Sequence, residues 1–169
     1  NQKLHNVSAA RNIGAEAARG KYLVFLDADD YLLPDFLTRT FAIQKECQGD
    51  GSLVYTDWIT APQMESHVAE NWSLERLMDH AIFAVTFMHT KAIWKEVGGF
   101  SEDVLLWEDW DYVLKLAMAG AKGIRVPKAL FVYRYNTGTR RRESLNNKDE
   151  LLQAIRGKYA LIVPKKRKG

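Results

Sequence analysis

One junction constrains this chain more than any other: a five-residue apolar run, Tyr22-Leu23-Val24-Phe25-Leu26, stops abruptly at Asp27-Ala28-Asp29-Asp30. Unbroken apolarity over strand length, rather than alternation, predicts a strand covered on both faces, as in a parallel sheet. In open α/β sheets, ligands bind beyond the carboxyl ends of strands, so the acidic end of this run is a candidate site. Its three carboxylates repel one another unless positive charge lies among them. Mg²⁺ or Mn²⁺, which take carboxylate and phosphate oxygens together, are the natural partners. The structural alternative is a solvated loop whose aspartates serve as turn and cap residues.

The surrounding pattern alternates helices with short strands, which indicates an α/β fold. Residues 8–19 read as a helix with Ser8 as N-cap, an apolar stripe of Ala9, Ala10, Ile13 and Ala17, and a stop at Gly20. Gly14 within it predicts close backbone packing on a sheet or a ligand, since glycine costs a helix about 1 kcal/mol relative to alanine. Pro34 suits the first turn of a second helix. Leu53-Val54-Tyr55 reads as a strand running into Thr56-Asp57-Trp58, and 60–71 as a loop. Ser73 caps a helix through about Met78, and Ala84 to Met88 is strand-like. Helices follow at Lys91–Val97 and Glu108–Met118, then a strand within Val126–Tyr135 and a last helix over Leu151–Leu161.

Composition narrows the classes. A chain of 169 residues with 47% apolar and 27% charged residues is neither disordered nor collagen-like. Its single cysteine, Cys47, excludes an internal disulfide framework, and no apolar run approaches the roughly 20 residues that span a bilayer. The net charge of +3 is misleading. Without Lys165, Lys166, Arg167 and Lys168, 20 basic residues face 21 acidic ones. The body is near neutral, whereas a nucleic-acid-binding domain carries a basic face. The basic tail reads first as a solvated terminus, with contact to anionic lipid headgroups as the alternative. A reducing, cytoplasmic setting is expected, with the inner face of the membrane as a variant of it.

Two further clusters carry chemistry. Glu108-Asp109-Trp110-Asp111 opens a helix, where the dipole favours acids. Trp107 and Trp110 flank Glu108 and Asp109, and a carboxylate beside aromatic rings is partly desolvated and becomes a better base. Trp rings also offer flat faces to an acceptor sugar. Tyr133-Arg134-Tyr135-Asn136 follows the last strand, where Arg134 could clamp a phosphate bidentately; Arg140, Arg141 and Arg142 read as a solvated loop.

Taken in order, these segments resemble the family 2 glycosyltransferases, inverting nucleotide-sugar enzymes of the GT-A fold. The likeness rests on Ser8-Ala9-Ala10-Arg11-Asn12-Ile13-Gly14, Phe25-Leu26-Asp27-Ala28-Asp29-Asp30 and Val54-Tyr55-Thr56-Asp57. It continues through Val97-Gly98-Gly99-Phe100 and Glu108-Asp109-Trp110-Asp111, and covers about residues 6–137. The family's opening strand, its helix and a second strand ending in acids have no counterpart. The resemblance therefore implies an N-terminally truncated, Rossmann-like, mostly parallel sheet flanked by helices. It divides a single partial domain into a nucleotide- and metal-binding part (1–57), an acceptor-binding and catalytic part (58–137) and a C-terminal loop, helix and tail (138–169). A sheet lacking those strands exposes an edge that favours pairing with a second copy.

The same resemblance implies roles. Asp109 matches the catalytic base, and Glu108 its partner near the acceptor. Arg11, Asp27, Asp29 and Arg134 contact the nucleotide-sugar. Asp29 and Asp30 ligate Mn²⁺ or Mg²⁺, with Asn136 at the position where relatives carry a metal-binding histidine. Trp107 and Trp110 meet the acceptor. The implied reaction moves a sugar from a nucleotide-sugar, by family habit a UDP-sugar, to a hydroxyl of a carbohydrate or lipid-linked acceptor, as in bacterial surface polysaccharide synthesis. The alternative is a non-catalytic sugar- or protein-binding descendant, and nucleic acid is not an expected partner.

Overall fold

The computed structural model describes residues 6–47, 51–134 and 139–159, the first four of the last stretch by backbone alone. The elements run α1 (Val7–Ala17), β1 (Tyr22–Val24), β2 (Tyr31–Leu32), α2 (Phe36–Glu46), β3 (Leu53–Ala61), β4 (Glu65–His67), α3 (Leu74–Leu77), β5 (Phe87–Thr90), α4 (Lys91–Glu96), α5 (Glu108–Met118), β6 (Gly123–Arg134), α6 (Thr139–Asn146) and α7 (Lys148–Tyr159). The strands form one sheet in the order β1-β5-β3-β6-β2, with β4 folded against β3.

This is an α/β sheet flanked by helices, as expected, but it is mixed rather than mostly parallel. Among the described strands, β3 and β6 pair in parallel, while β1–β5, β3–β5, β2–β6 and β3–β4 are antiparallel. The reason is physical: an apolar run reports that both faces of a strand are covered and says nothing of the direction of its neighbour. β1 lies at one end of the order.

Alternation along β3 separates two cores. Leu53 and Tyr55 pack with Leu23, Phe87 and the Tyr112, Leu114 and Leu116 side chains of α5. Val54 packs with Phe36 of α2 and with Val126, Leu130 and Phe131 of β6. The sheet is thus clamped between α5 and α2, and the acidic ends of β1 and α5 come to the same side of the molecule.

Local signals worked unevenly. Asn6, not Ser8, caps α1: its Oδ1 accepts the Ser8 and Ala9 N–H groups at 2.9 and 3.3 Å. A Cβ at Gly14 would meet nothing within 4 Å, so no sheet packs closely on it; Gly14 instead lines the open groove between α1 and β1. Gly99 is the glycine that packing demands. At φ 67° it sits so close to Asn12 and Trp94 that a Cβ would lie 2.4 Å from Asn12 Oδ1. Asn12 accordingly brackets Phe100, accepting its N–H at 2.8 Å and donating to its carbonyl at 3.0 Å.

Candidate active site

The end of β1 turns sharply, the Asp30 N–H donating to the Asp27 carbonyl at 3.0 Å. β2 then pairs with β6, and this brings the Arg134 N–H onto Asp30 Oδ1 at 2.7 Å. Asp30 is 9% exposed. Burial pushes its carboxyl up to about 6; the Arg134 N–H pulls it down, and the charges of Asp27 and Asp29 push it up further.

The second acidic element is built by α5. Trp107 takes a left-handed backbone, φ 60°, immediately before the helix, a conformation that costs a bulky residue energy and that fixes the direction in which Glu108 and Asp109 leave the chain. The first-turn acids Glu108, Asp109 and Asp111 sit in the favourable field of the helix N-terminus. Asp109 Oδ1 accepts the N–H of Trp110 at 2.8 Å.

Arg11 on α1 joins the two elements. Its guanidinium donates to Asp27 Oδ1 at 2.6 Å and to Glu108 Oε1 at 3.4 Å, and it lies 5.2 Å from the centre of the Phe100 ring. In this structure Arg11 thus spans the acidic end of β1 and the start of α5.

Asp27, Asp30 and Asp109 line one cleft of about 240 Å³, whose other walls include Trp58, Thr86 and Tyr133. Residues 79 or more positions apart in sequence are therefore brought to one concavity. Asp29 lines the neighbouring groove between α1 and β1, together with Asp27, Arg11 and Glu108. Among the described residues no three His, Cys, Asp or Glu side chains converge as a ready-made metal cage. Mg²⁺ binds through one or two carboxylates plus substrate phosphates, and Asp27 and Asp30, which line the same cleft, are two carboxylates of that chemistry.

The acceptor role expected of Trp110 needs correction. Trp110 is 4% exposed, and its indole N–H donates to the Leu77 carbonyl at 2.6 Å. It is a core residue, because as the first apolar residue of the amphipathic α5 it faces inward whatever its side chain could bind. Trp107 is half-buried against it and donates its indole N–H to Ser144 Oγ of α6. Asn136 lies outside the described residues. Trp58 and Thr86 were given no site role from sequence, whereas Tyr133 opens the Tyr133-Arg134-Tyr135-Asn136 cluster. Trp58 follows the Thr56-Asp57 pair that carries part of the resemblance, while nothing about Thr86 in the sequence marks it.

The sequence model described as Glycosyl transferase family 2 matches residues 1–95, more than half of the chain. The chain belongs to glycosyltransferase family 2. The fold agrees, since the family 2 chain described here superimposes on two solved S. aureus structures. On TarS 1-349 the TM-score is 0.61 at 18% identity, covering 89% of this chain and 44% of that one. On TarS 1-349 in complex with UDP it is 0.60 at 16% identity, covering 95% and 56%. At such identities the likeness is one of fold. Among curated proteins, an uncharacterized protein of Sinorhizobium fredii (strain NBRC 101917 / NGR234), y4gI, is 28% identical over 114 residues, which is 65% of this chain and 12% of that protein. The chain thus spans about an eighth of the curated relative and about half of the solved ones. Its family 2 match ends before α5, so Glu108 and Asp109 lie outside the matched residues. No helix among the described residues is long and apolar enough to cross a membrane.

Proposed function

We propose that this chain carries the reacting groups of an inverting glycosyltransferase that moves a sugar from a UDP-sugar to a hydroxyl of a carbohydrate or lipid-linked acceptor. The observation that carries the reading is the meeting of Asp27, Asp30 and Asp109 in one cleft. The solved relative in complex with UDP supports the choice of nucleotide.

Asp109 is the general base. It accepts the acceptor hydroxyl proton as that oxygen attacks the anomeric carbon on the face opposite the diphosphate. The new carbon–oxygen bond forms while the bond to the diphosphate breaks, and the electron pair leaves with the diphosphate. A base positioned in this way contributes about 10²–10⁴-fold. Glu108, held by Arg11, orients the acceptor side. Asp27 and Asp30, with Asp29 on the adjoining groove, would hold Mg²⁺ or Mn²⁺, which when bound supplies positive charge to the departing diphosphate. Arg134 stands beside Asp30 to receive phosphate oxygens, and Asn136 would complete the donor set. Under this reading Arg11 serves the nucleotide-sugar indirectly, by fixing Asp27.

Surface polysaccharide synthesis, peripheral membrane contact through the basic tail and pairing of copies through the β1 edge belong to the same proposal. The direct test offers a panel of UDP-sugars with MnCl₂ to the intact protein and follows the products by NMR. Release of UDP with a glycoside of inverted anomeric configuration is expected. Pyrophosphate release, or retained configuration, contradicts the reading.

A further inference from the structure

Asp109 is not anchored by other parts of the fold. Among the described hydrogen bonds its side chain makes one, accepting the N–H of the next residue, Trp110. Its direction in the cleft therefore depends on how the chain enters α5. That entry is Trp107, which stands at φ 60° and ψ 28° and makes no capping bond with its side chain. A bulky residue in this left-handed region persists only where surrounding contacts over-determine it.

Trp107 is held from two sides. One is the ring of Trp110, 5.5 Å away, which is fixed in the core by its bond to the Leu77 carbonyl. The other is α6: the Trp107 indole N–H donates to Ser144 Oγ, 37 positions away in sequence. Of residues 143–146 of α6, Ser144 alone is not exposed. Ser144 does not line the cleft. Serine is a poorer helix former than alanine, so helix propensity gives no reason for it at this inward position. An acceptor for an indole N–H, which can only donate, does.

α7 keeps that acceptor in place. It begins one residue after α6 ends, and the Leu151 N–H donates to the carbonyl of the intervening Asn147 at 3.0 Å. Ile155 and Tyr159 enter the main core, while Lys158 and Tyr159 grip Asp111, one helical turn beyond Trp107. The C-terminal helices thus reach α5 at two points: the sealed carboxylate of Asp111 and, through one hydroxyl, the residue that aims Asp109.

We propose that Ser144 is a positioning residue for sugar transfer: by accepting the Trp107 indole N–H, its hydroxyl sets the direction of Asp109 in the cleft. The inference rests on the reading of Asp109 as the base. A misplacement of about 1 Å from a change far from the chemistry can cost about 10²-fold. Asp27 and Asp30, which would hold the donor, lie on the other side of that contact and are left as they were.

The test uses the intact protein with MnCl₂. UDP release from UDP-glucose and UDP-N-acetylglucosamine gives kcat, calorimetry with UDP gives donor affinity, and urea unfolding gives stability. Ser144→Ala is expected to lower kcat about tenfold, with UDP affinity and urea midpoint close to those of the parent. Ser144→Thr, which keeps the hydroxyl, is expected to restore kcat. Trp107→Phe, which keeps a ring and removes the N–H, is expected to lower kcat as well, and Ser144→Ala added to it to cost nothing more. The proposal falls if Ser144→Ala turns over at the parent's kcat, or if Ser144→Thr is no better than Ser144→Ala. It falls if the two losses multiply in the double variant, since the hydroxyl then acts other than through the indole. It falls also if kcat drops only together with the urea midpoint. If instead Asp109→Asn releases UDP at the parent's rate, or the parent releases none, the reading of the cleft itself is overturned, and neither result depends on Ser144.

Discussion

Asp109 and Asp111 stand two residues apart in α5, and the fold treats them in opposite ways. Asp109 opens on the cleft and accepts only the N–H of the next residue among the hydrogen bonds of its side chain described here. Asp111 is wholly buried. Its carboxylate accepts from Ser101 Oγ at 2.6 Å, from Lys158 Nζ at 2.6 Å and from the Tyr159 hydroxyl at 2.8 Å. Burial pushes the Tyr159 phenol up, and the bond to Asp111 adds to this. Asp57 follows the sealed pattern: Arg125 grips it with two bonds of 2.8 Å, and the Ala69 N–H adds a third at 2.9 Å. The lesson is that acid content alone does not mark the site. Carboxylates saturated by the protein hold α5, α7 and β6 in place, whereas those left open toward the cleft are available to a ligand.

The sharpest attempt to break that contrast is Asp111→Ala. It removes three charge-assisted hydrogen bonds, from Ser101, Lys158 and Tyr159, and should cost about 3–5 kcal/mol in urea unfolding. A loss below about 1 kcal/mol would show that the network is not structural.

Acid provides the next largest effect. His89 is enclosed beside Phe25, Phe87 and Tyr112; Nδ1 pairs with the Thr90 carbonyl at 2.9 Å, and the Tyr112 hydroxyl faces Nε2 at 3.2 Å. Burial lowers its pKa from 6.5 to about 4. Between these values the unfolded chain takes up a proton that the folded chain refuses. Its contribution is therefore intact above pH 6.5 and lost as pH falls toward 4, by about 3 kcal/mol in all. Asp30, raised to about 6, acts in the opposite sense over this range, so the His89 contribution is read as a difference: in unfolding measured between pH 6.5 and 4, the parent should lose about 3 kcal/mol more than His89→Asn.

Gly99→Ala comes next, at about 2 kcal/mol, because the new methyl meets Asn12 and Trp94 and the backbone is left-handed. The Gly99 carbonyl also receives Lys115 Nζ at 2.6 Å, so this substitution loosens the sealed side of α5 as well. Asp109→Asn should be the smallest, within about 1 kcal/mol, since it removes only a first-turn charge.

Much of this contrast was hidden in the sequence. The bounds of α5 were legible, because three acids open it, apolar residues recur at helical spacing and Gly120 follows. The junction of β1 with Asp27 was legible for the same reason, a change of polarity at one point. What could not be read was which acid would be saturated, since Ser101, Lys158 and Tyr159 reach Asp111 from 10, 47 and 48 positions away. Trp110 looked like a sugar platform because its chemistry permits it, and only tertiary packing shows that it faces Leu77. The hairpin of β3 and β4 escaped notice because Glu65-Ser66-His67 is polar and holds its place through backbone pairing with Trp58 to Thr60. β2 is two residues long and exists only through its pairing with β6.

The central claim is that Asp109 is the base and that its cleft, unlike the pocket around Asp111, is built for chemistry. Asp109→Asn in the intact protein, assayed for transfer from a UDP-sugar with MnCl₂, tests it directly. The account predicts a fall in kcat of about 10²–10⁴-fold with donor affinity and urea midpoint close to those of the parent. Transfer at the parent's rate would contradict it.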